Sequence, residues 1–210
     1  MVETFLHYEA VEQAPLQMRP CPHLVVPDFL RREALSRLIP LFPSIRAGGS
    51  FAPESLSIQP EFSQFLEEFQ GVRLKTLIGR KFGLDLENAP SMLTLRGQTR
   101  EKDGRIHLDS DSKRVTILLY MNDPWRDWSA HGGCLRFTNG PDDINDYAAE
   151  IPPVGGTLVV FPNHPASWHG HLPYCGPRCT IQLNYMAKGW RTSLEQKRHK
   201  ISAFWKKLKP

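Results

Sequence analysis

RVTILLYMN, at residues 114–122, combines β-branched and large apolar residues in the way expected of a buried β-strand. Three further runs have strand character, namely MLTLR at 92–96, TLVVF at 157–161 and RCTIQLNY at 178–185. Clusters of Gly, Pro and Asn separate these runs, as is typical of an all-β sandwich or barrel. The sequence therefore predicts a β core over residues 89–188.

Residues 1–88 have the spacing of helices instead. HLVV at 23–26 predicts a short strand, and Asp28 is a candidate N-cap for an amphipathic helix that prolines end shortly after Ile39. Apolar residues recur at helical spacing from Phe62 to Leu77, and Gly83 is a helix stop. Helices followed by a block of strands predict a mainly β, α+β fold: a jelly roll with helices packed on its outside.

A length of 210 residues fits a single domain, 1–210, and 40% hydrophobic against 23% charged residues indicates a globular chain. The formal net charge of +4 is uneven, because the last twenty residues contain seven Lys/Arg and one Glu. Residues 189–210 are therefore predicted to form a basic tail helix. Such a tail can recruit an acidic partner, which leaves a non-catalytic binding module open as an alternative, although basic runs commonly do no more than solubilise.

The sequence contains no run of 18 apolar residues, so we expect no membrane-spanning helix. Its N-terminal stretch, MVETFLHYEAVEQAP, has neither the basic nor the apolar region of a secretory signal. Four cysteines then fit free thiols in a reducing compartment, and a cytoplasmic location is expected. The oligomeric state is not readable from these features.

Three side chains form a candidate metal site. His107 and Asp109 are spaced H-x-D, and alternate residues of a strand point to the same face. His169 follows sixty residues later, and two imidazoles with one carboxylate make up the facial triad of non-haem Fe(II) oxygenases. His171 is the alternative distal ligand, whereas His164 lies in a proline-flanked turn and is expected at the surface.

Arg178 and Thr180 lie on one face of the last predicted strand, nine and eleven residues after His169. A guanidinium beside such a metal site is suited to anchor the remote carboxylate of a 2-oxo dicarboxylic acid, because its fork matches a carboxylate in a bidentate manner. Thr180 can add a hydroxyl donor to the same carboxylate.

The stretch from Ser91 to Met186 resembles the 2-oxoglutarate- and Fe(II)-dependent oxygenase superfamily, in its prolyl-hydroxylase-like branch. The matching pieces are, in order, RIHLD, RVTILLYMND, HGGCLRF, GGTLVVFPNHPASWHGHLP and GPRCTIQLNYM. HLVVPDFL near the N-terminus also resembles the support helices of that branch. The resemblance implies that Tyr120 contacts 2-oxoglutarate together with Arg178 and Thr180.

The resemblance further implies Fe(II) held by His107, Asp109 and His169, with 2-oxoglutarate and dioxygen as co-substrates. The expected reaction is hydroxylation of a small molecule or a peptide. Asn184 stands where the nucleobase-demethylating branch has a second arginine, which argues against a nucleic-acid substrate, and Asp109 argues against the halogenating branch. A cupin-type metal enzyme that does not use 2-oxoglutarate is the alternative within the same fold.

Overall fold

The computed structural model describes residues 4–128 and 132–188, so the predicted tail helix at 189–210 lies outside the described residues. Two antiparallel sheets form the β core and helices pack against the larger one, as the mainly β jelly-roll prediction requires. The large sheet has the strand order β1-β6-β3-β8-β2, and the small sheet has the order β5-β4-β7. The strands are β1 (Leu24–Val26), β2 (Ser91–Thr99), β3 (Lys113–Tyr120), β4 (Leu135–Thr138), β5 (Tyr147–Ile151), β6 (Leu158–Pro162), β7 (His169–Gly170) and β8 (Gly176–Met186).

Four α-helices precede β2, namely α1 (Tyr8–Gln13), α2 (Arg32–Leu38), α3 (Pro60–Phe69) and α4 (Val72–Phe82). Asp28 is not an N-cap, because its φ of 53° places it in a turn and α2 begins only after Arg31. The periodic run from Phe62 to Leu77 is two helices rather than one, interrupted at Gly71. Within the described part of the chain, none of the helices combines the length and apolar character that crossing a bilayer demands.

The central strand β3 pairs with β6 on one side and with β8 on the other. Successive side chains of β8 point to opposite faces of the sheet, and Ile181 and Leu183 lie in the apolar core that the helices cover. Arg178 and Thr180 point to the opposite face, where they line a cavity between the two sheets. One face of β8 therefore packs in the apolar core, and the other face presents polar side chains to the cavity.

The small sheet covers the cavity side of the large sheet and contacts it through an aromatic cluster. Phe137 of β4 packs edge-on against Phe161 of β6, with ring centroids 5.1 Å apart. The loop between β4 and β5 ends at Asp146, because β5 begins at Tyr147. Strand β7 is short, and it places His169 directly against the segment that contains His107.

Candidate metal centre

His107, Asp109 and His169 converge on one point at the edge of the cavity. Their candidate ligand atoms all lie within 4.8 Å of one another, and they form a group of the kind that holds a metal ion. An antiparallel bridge joins the backbones of the two histidines, with N–H to O distances of 3.0 Å in both directions. The H-x-D pair therefore lies in a short bridged segment rather than in a regular strand.

Both imidazoles are oriented by backbone carbonyls. Nδ1 of His107 lies 2.9 Å from the Arg105 carbonyl oxygen, and Nδ1 of His169 lies 2.8 Å from that of Ser167. A carbonyl only accepts, so each Nδ1 carries the proton and each Nε2 keeps its lone pair for a ligand. Burial, reinforced by the neighbouring His107, lowers the pKa of His169 to about 4, which keeps its ring neutral near pH 7.

Asp109 is 8% exposed and is held from two sides. The Lys113 ammonium lies 2.5 Å from its Oδ1, and the Thr116 hydroxyl donates to its Oδ2. Burial acts to raise the pKa of this carboxyl, but the charge of Lys113 and the nearby His169 outweigh burial and lower it. Asp109 is therefore an anion near neutral pH, as a metal ligand must be.

Arg178, Thr180 and Tyr120 form the other predicted group, in which Arg178 and Thr180 line the cavity. The Arg178 guanidinium donates through Nε to the Gly133 carbonyl at 2.8 Å and through Nη1 to the Thr180 hydroxyl at 3.5 Å. Its central carbon lies 5.2 Å from the Tyr120 ring centroid. The Tyr120 hydroxyl is fully buried and has no hydrogen-bond partner among the described residues.

That orphaned hydroxyl tests whether the residues fit 2-oxoglutarate. A buried polar group is normally paired, and a hydroxyl beside an arginine at the end of a polar cavity suits a carboxylate acceptor. At the cluster of His107, Asp109 and His169, two imidazole nitrogens and one carboxylate are a donor set that suits Fe(II). Both groups of residues therefore fit the ligands that the sequence predicts for them.

The other two candidate histidines lie outside the cluster. His171 bonds through Nδ1 to the Leu172 carbonyl, and its ring packs against Gly104 on the cavity wall. His164 is exposed in the turn before β7, where its Nδ1 accepts from the Ala166 amide.

Sequence reasoning did not identify three cavity residues, Arg96, Lys113 and Thr116. Lys113 and Thr116 lie in the strand that follows the H-x-D motif, so their position in the sequence could have identified them. No motif marks Arg96.

The sequence model of the 2OG-Fe(II) oxygenase superfamily matches residues 96–186, a segment that contains all six predicted site residues. Over this segment the chain is similar to the 2OG-Fe(II) oxygenase superfamily. The match, together with the His-Asp-His group, indicates an oxygenase enzyme whose cofactors are Fe(II), 2-oxoglutarate and dioxygen. A search among proteins of curated function finds no match.

Solved structures of prolyl hydroxylases have the same fold. A Pseudomonas putida prolyl-4-hydroxylase superposes with a TM-score of 0.55 at 21% identity, covering 90% of this chain and 99% of the other. A viral collagen prolyl hydroxylase from Paramecium Bursaria Chlorella virus-1, solved as a 2OG complex, gives 0.57 at 14% identity, with coverage of 80% and 96%. A Trichoplax adhaerens prolyl hydroxylase bound to a hypoxia inducible factor peptide gives 0.53 at 18%, with coverage of 84% and 86%.

Proposed function

We propose that this oxygenase hydroxylates a C–H bond of a small molecule or a peptidyl residue, with His107, Asp109 and His169 holding Fe(II) and with Arg178, Thr180 and Tyr120 holding 2-oxoglutarate. The observation that carries the proposal is the convergence of the first three side chains at one edge of the cavity that Arg178 and Thr180 line. A 2-oxo acid that chelates a metal ion suits this cavity, because one group of residues can bind the ion and the other can bind a carboxylate.

Each group of residues has a distinct task in this proposal. The backbone carbonyls of Arg105 and Ser167 hold the two imidazoles with Nε2 toward the ion. Arg178 and Tyr120 orient the co-substrate by charge and by a hydrogen bond, and the sheet interface excludes water from it. Bound iron, 2-oxoglutarate and dioxygen would supply the oxidation of the C–H bond: one oxygen atom would enter the new hydroxyl and the other the succinate, with release of carbon dioxide.

The fold similarity to prolyl hydroxylases makes proline the first substrate to test, as the free amino acid and within peptides. The hypoxia inducible factor peptide bound to the Trichoplax enzyme supports a search among peptides. At 14–21% identity that similarity extends to the fold alone. We therefore leave the choice between a peptide and a small molecule to a screen.

A direct test measures bound Fe(II) and succinate released from 2-oxoglutarate in the absence of another substrate. We expect wild type to bind one iron and to release succinate slowly, and we expect His107→Ala to lose both. Arg178→Gln should keep its iron but raise the KM for 2-oxoglutarate about 10- to 100-fold, because a charge-assisted hydrogen bond contributes about 1.5–3 kcal/mol.

His164→Ala is the matched control, since this histidine is close in sequence but exposed and outside the cluster. It should bind iron and release succinate as wild type does. Unchanged iron content in His107→Ala would refute the ligand assignment, and an unchanged KM in Arg178→Gln would place the carboxylate anchor elsewhere.

A further inference from the structure

Arg96 lines the same cavity as the candidate metal centre, yet the proposed reaction gives it no task. It lies on the cavity face of the edge strand β2, directly opposite Thr180 of β8. The side chain is half-buried, and among residues 4–128 and 132–188 its guanidinium has no hydrogen bond or ion pair. An arginine cannot lose its proton in a protein, so this is a partly desolvated positive charge without a partner.

The surroundings of Arg96 increase the need for an anion. Burial lowers the pKa of its guanidinium, and the positive charge of Arg178 lowers it further. The carboxylate that attracts it, Asp103, is already engaged, because Arg100 donates to both of its oxygens through Nε and Nη2 at 3.1 and 2.9 Å. A buried charge is normally paired, so a bound anion is the natural complement.

This anion is distinct from the co-substrate that we assign to Arg178. The Arg178 side chain lies over the ring of Tyr120, at the end of β3, and donates to the Gly133 carbonyl just before β4. Arg96 belongs to the strand on the other side of β8. The two negative charges of 2-oxoglutarate would balance the two positive charges of Fe(II), and the charge of Lys113 balances that of Asp109. The positive charges of Arg96 and Arg178 therefore remain in the cavity.

A surface groove leads to the Arg96 side of the cavity. Residues 100–106 line this groove, whose volume is ≈ 660 Å³, and it shares Gly104 and His171 with the inner cavity of ≈ 220 Å³. Arg100, Lys102 and Arg105 line the groove together with two acidic residues. A ligand that enters here meets the inner cavity at the wall where the unpaired guanidinium lies.

We infer that Arg96 binds a carboxylate of the molecule that is hydroxylated, so that the primary substrate is an acid. The inference rests on the proposed function, since it assigns the remaining charge of the same cavity. It makes Arg96 a residue that determines substrate choice and not one that holds the co-substrate.

The test uses a fluorinated carboxylate, trifluoroacetate, as the probe. The full-length protein is loaded with Mn(II), a paramagnetic ion, and saturated with 2-oxoglutarate, and the ¹⁹F relaxation rate of added trifluoroacetate is measured. We expect wild type to enhance relaxation well above that of an equal concentration of free Mn(II)–2-oxoglutarate. Arg96→Gln should weaken probe binding about tenfold or more, because a charge-assisted hydrogen bond is lost, and Arg96→Lys should restore part of it.

Lys102→Gln is the control for general surface charge, because it removes an exposed cation from the groove but not from the inner cavity. It should leave probe relaxation unchanged. Calorimetry on the same Mn(II) protein should give Arg96→Gln a Kd for 2-oxoglutarate within about threefold of wild type.

Three outcomes would overturn the inference: no enhanced relaxation in wild type, equal relaxation in Arg96→Gln, or a tenfold loss of 2-oxoglutarate affinity in Arg96→Gln. The last outcome would mean that the carboxylate at Arg96 is that of the co-substrate. A wild-type protein that binds neither Mn(II) nor 2-oxoglutarate would instead contradict the proposed function itself.

Discussion

At the scale of single residues, burial keeps two histidines of the cavity neutral, and one of them, His169, is a candidate metal ligand. The pKa of His169 falls to about 4 because it is buried beside His107, and that of His171 falls to about 4 because it is buried beside Arg178 and Arg96. Neutral imidazoles are ready to bind a metal without first losing a proton. The same burial means that the metal-free fold resists protonation at these positions.

Stability of the metal-free protein should therefore fall as the pH is lowered from about 6.5 to about 4. Unfolded histidine has a pKa near 6.5, so over this range the unfolded chain binds protons that the folded chain excludes. For His169 alone the loss by pH 5 is on the order of 2 kcal/mol. Urea unfolding in EDTA at pH 7.5 and pH 5 measures it, and His171→Gln should show a smaller loss than wild type. Equal stability at both pH values would contradict the burial argument.

At the scale of elements, helix α4 is fixed to the chain that follows it by a tight C-terminal turn. Gly83 has a φ of 64°, its amide donates to the Arg80 carbonyl, and the Leu84 amide donates to the Gly79 carbonyl at 2.8 Å. These two bonds satisfy carbonyls that the helix end would leave free. A Cβ at Gly79 would lie 2.8 Å from the Leu84 carbonyl oxygen, so the turn leaves no room for a side chain there.

Gly79→Ala should therefore destabilise the protein by about 1–3 kcal/mol, as overpacking does, although alanine in a helix is ordinarily favoured over glycine by about 1 kcal/mol. The comparison is Gly140→Ala, because a Cβ at Gly140 meets nothing within 4 Å. Its free energy of unfolding should stay within about 0.5 kcal/mol of wild type in the same denaturant titration. A stabilised Gly79→Ala variant would show that the turn can shift.

The sequence predicted local features of these elements better than the contacts between them. Alternation located β2 and β8, and a run of β-branched and apolar residues located β3. Gly83 marked the end of α4, and each of these signals depends on neighbouring residues. The break at Gly71 was missed because the apolar spacing continues across it. The burial of Arg136 against Glu150 was not predicted, because this contact across the β4–β5 pair exists only once the sheet forms. Arg96 was missed for the same reason, because its cavity is built by distant strands.

At the scale of the whole molecule, the candidate metal centre joins the two sheets at a point away from their apolar contact. Asp109 is tied through Thr116 to the large sheet, whereas His169 belongs to the small sheet. His107 bridges to His169 through the backbone, and the centroids of their rings lie 4.3 Å apart. An ion held by all three side chains would link the two sheets across the cavity. Metal binding should therefore raise the free energy of unfolding of the whole protein.

Mn(II), which does not support turnover, should accordingly stabilise the protein. At a free concentration of 100 times its Kd, the gain in the free energy of unfolding should be about 2.7 kcal/mol, since the ion binds the folded state alone. Urea unfolding with and without Mn(II) measures this gain, which should vanish in His107→Ala and persist in His164→Ala. If Mn(II) stabilised His107→Ala as strongly as wild type, the stabilising ion would be bound elsewhere, and His107 would be no more than a bridge between the sheets.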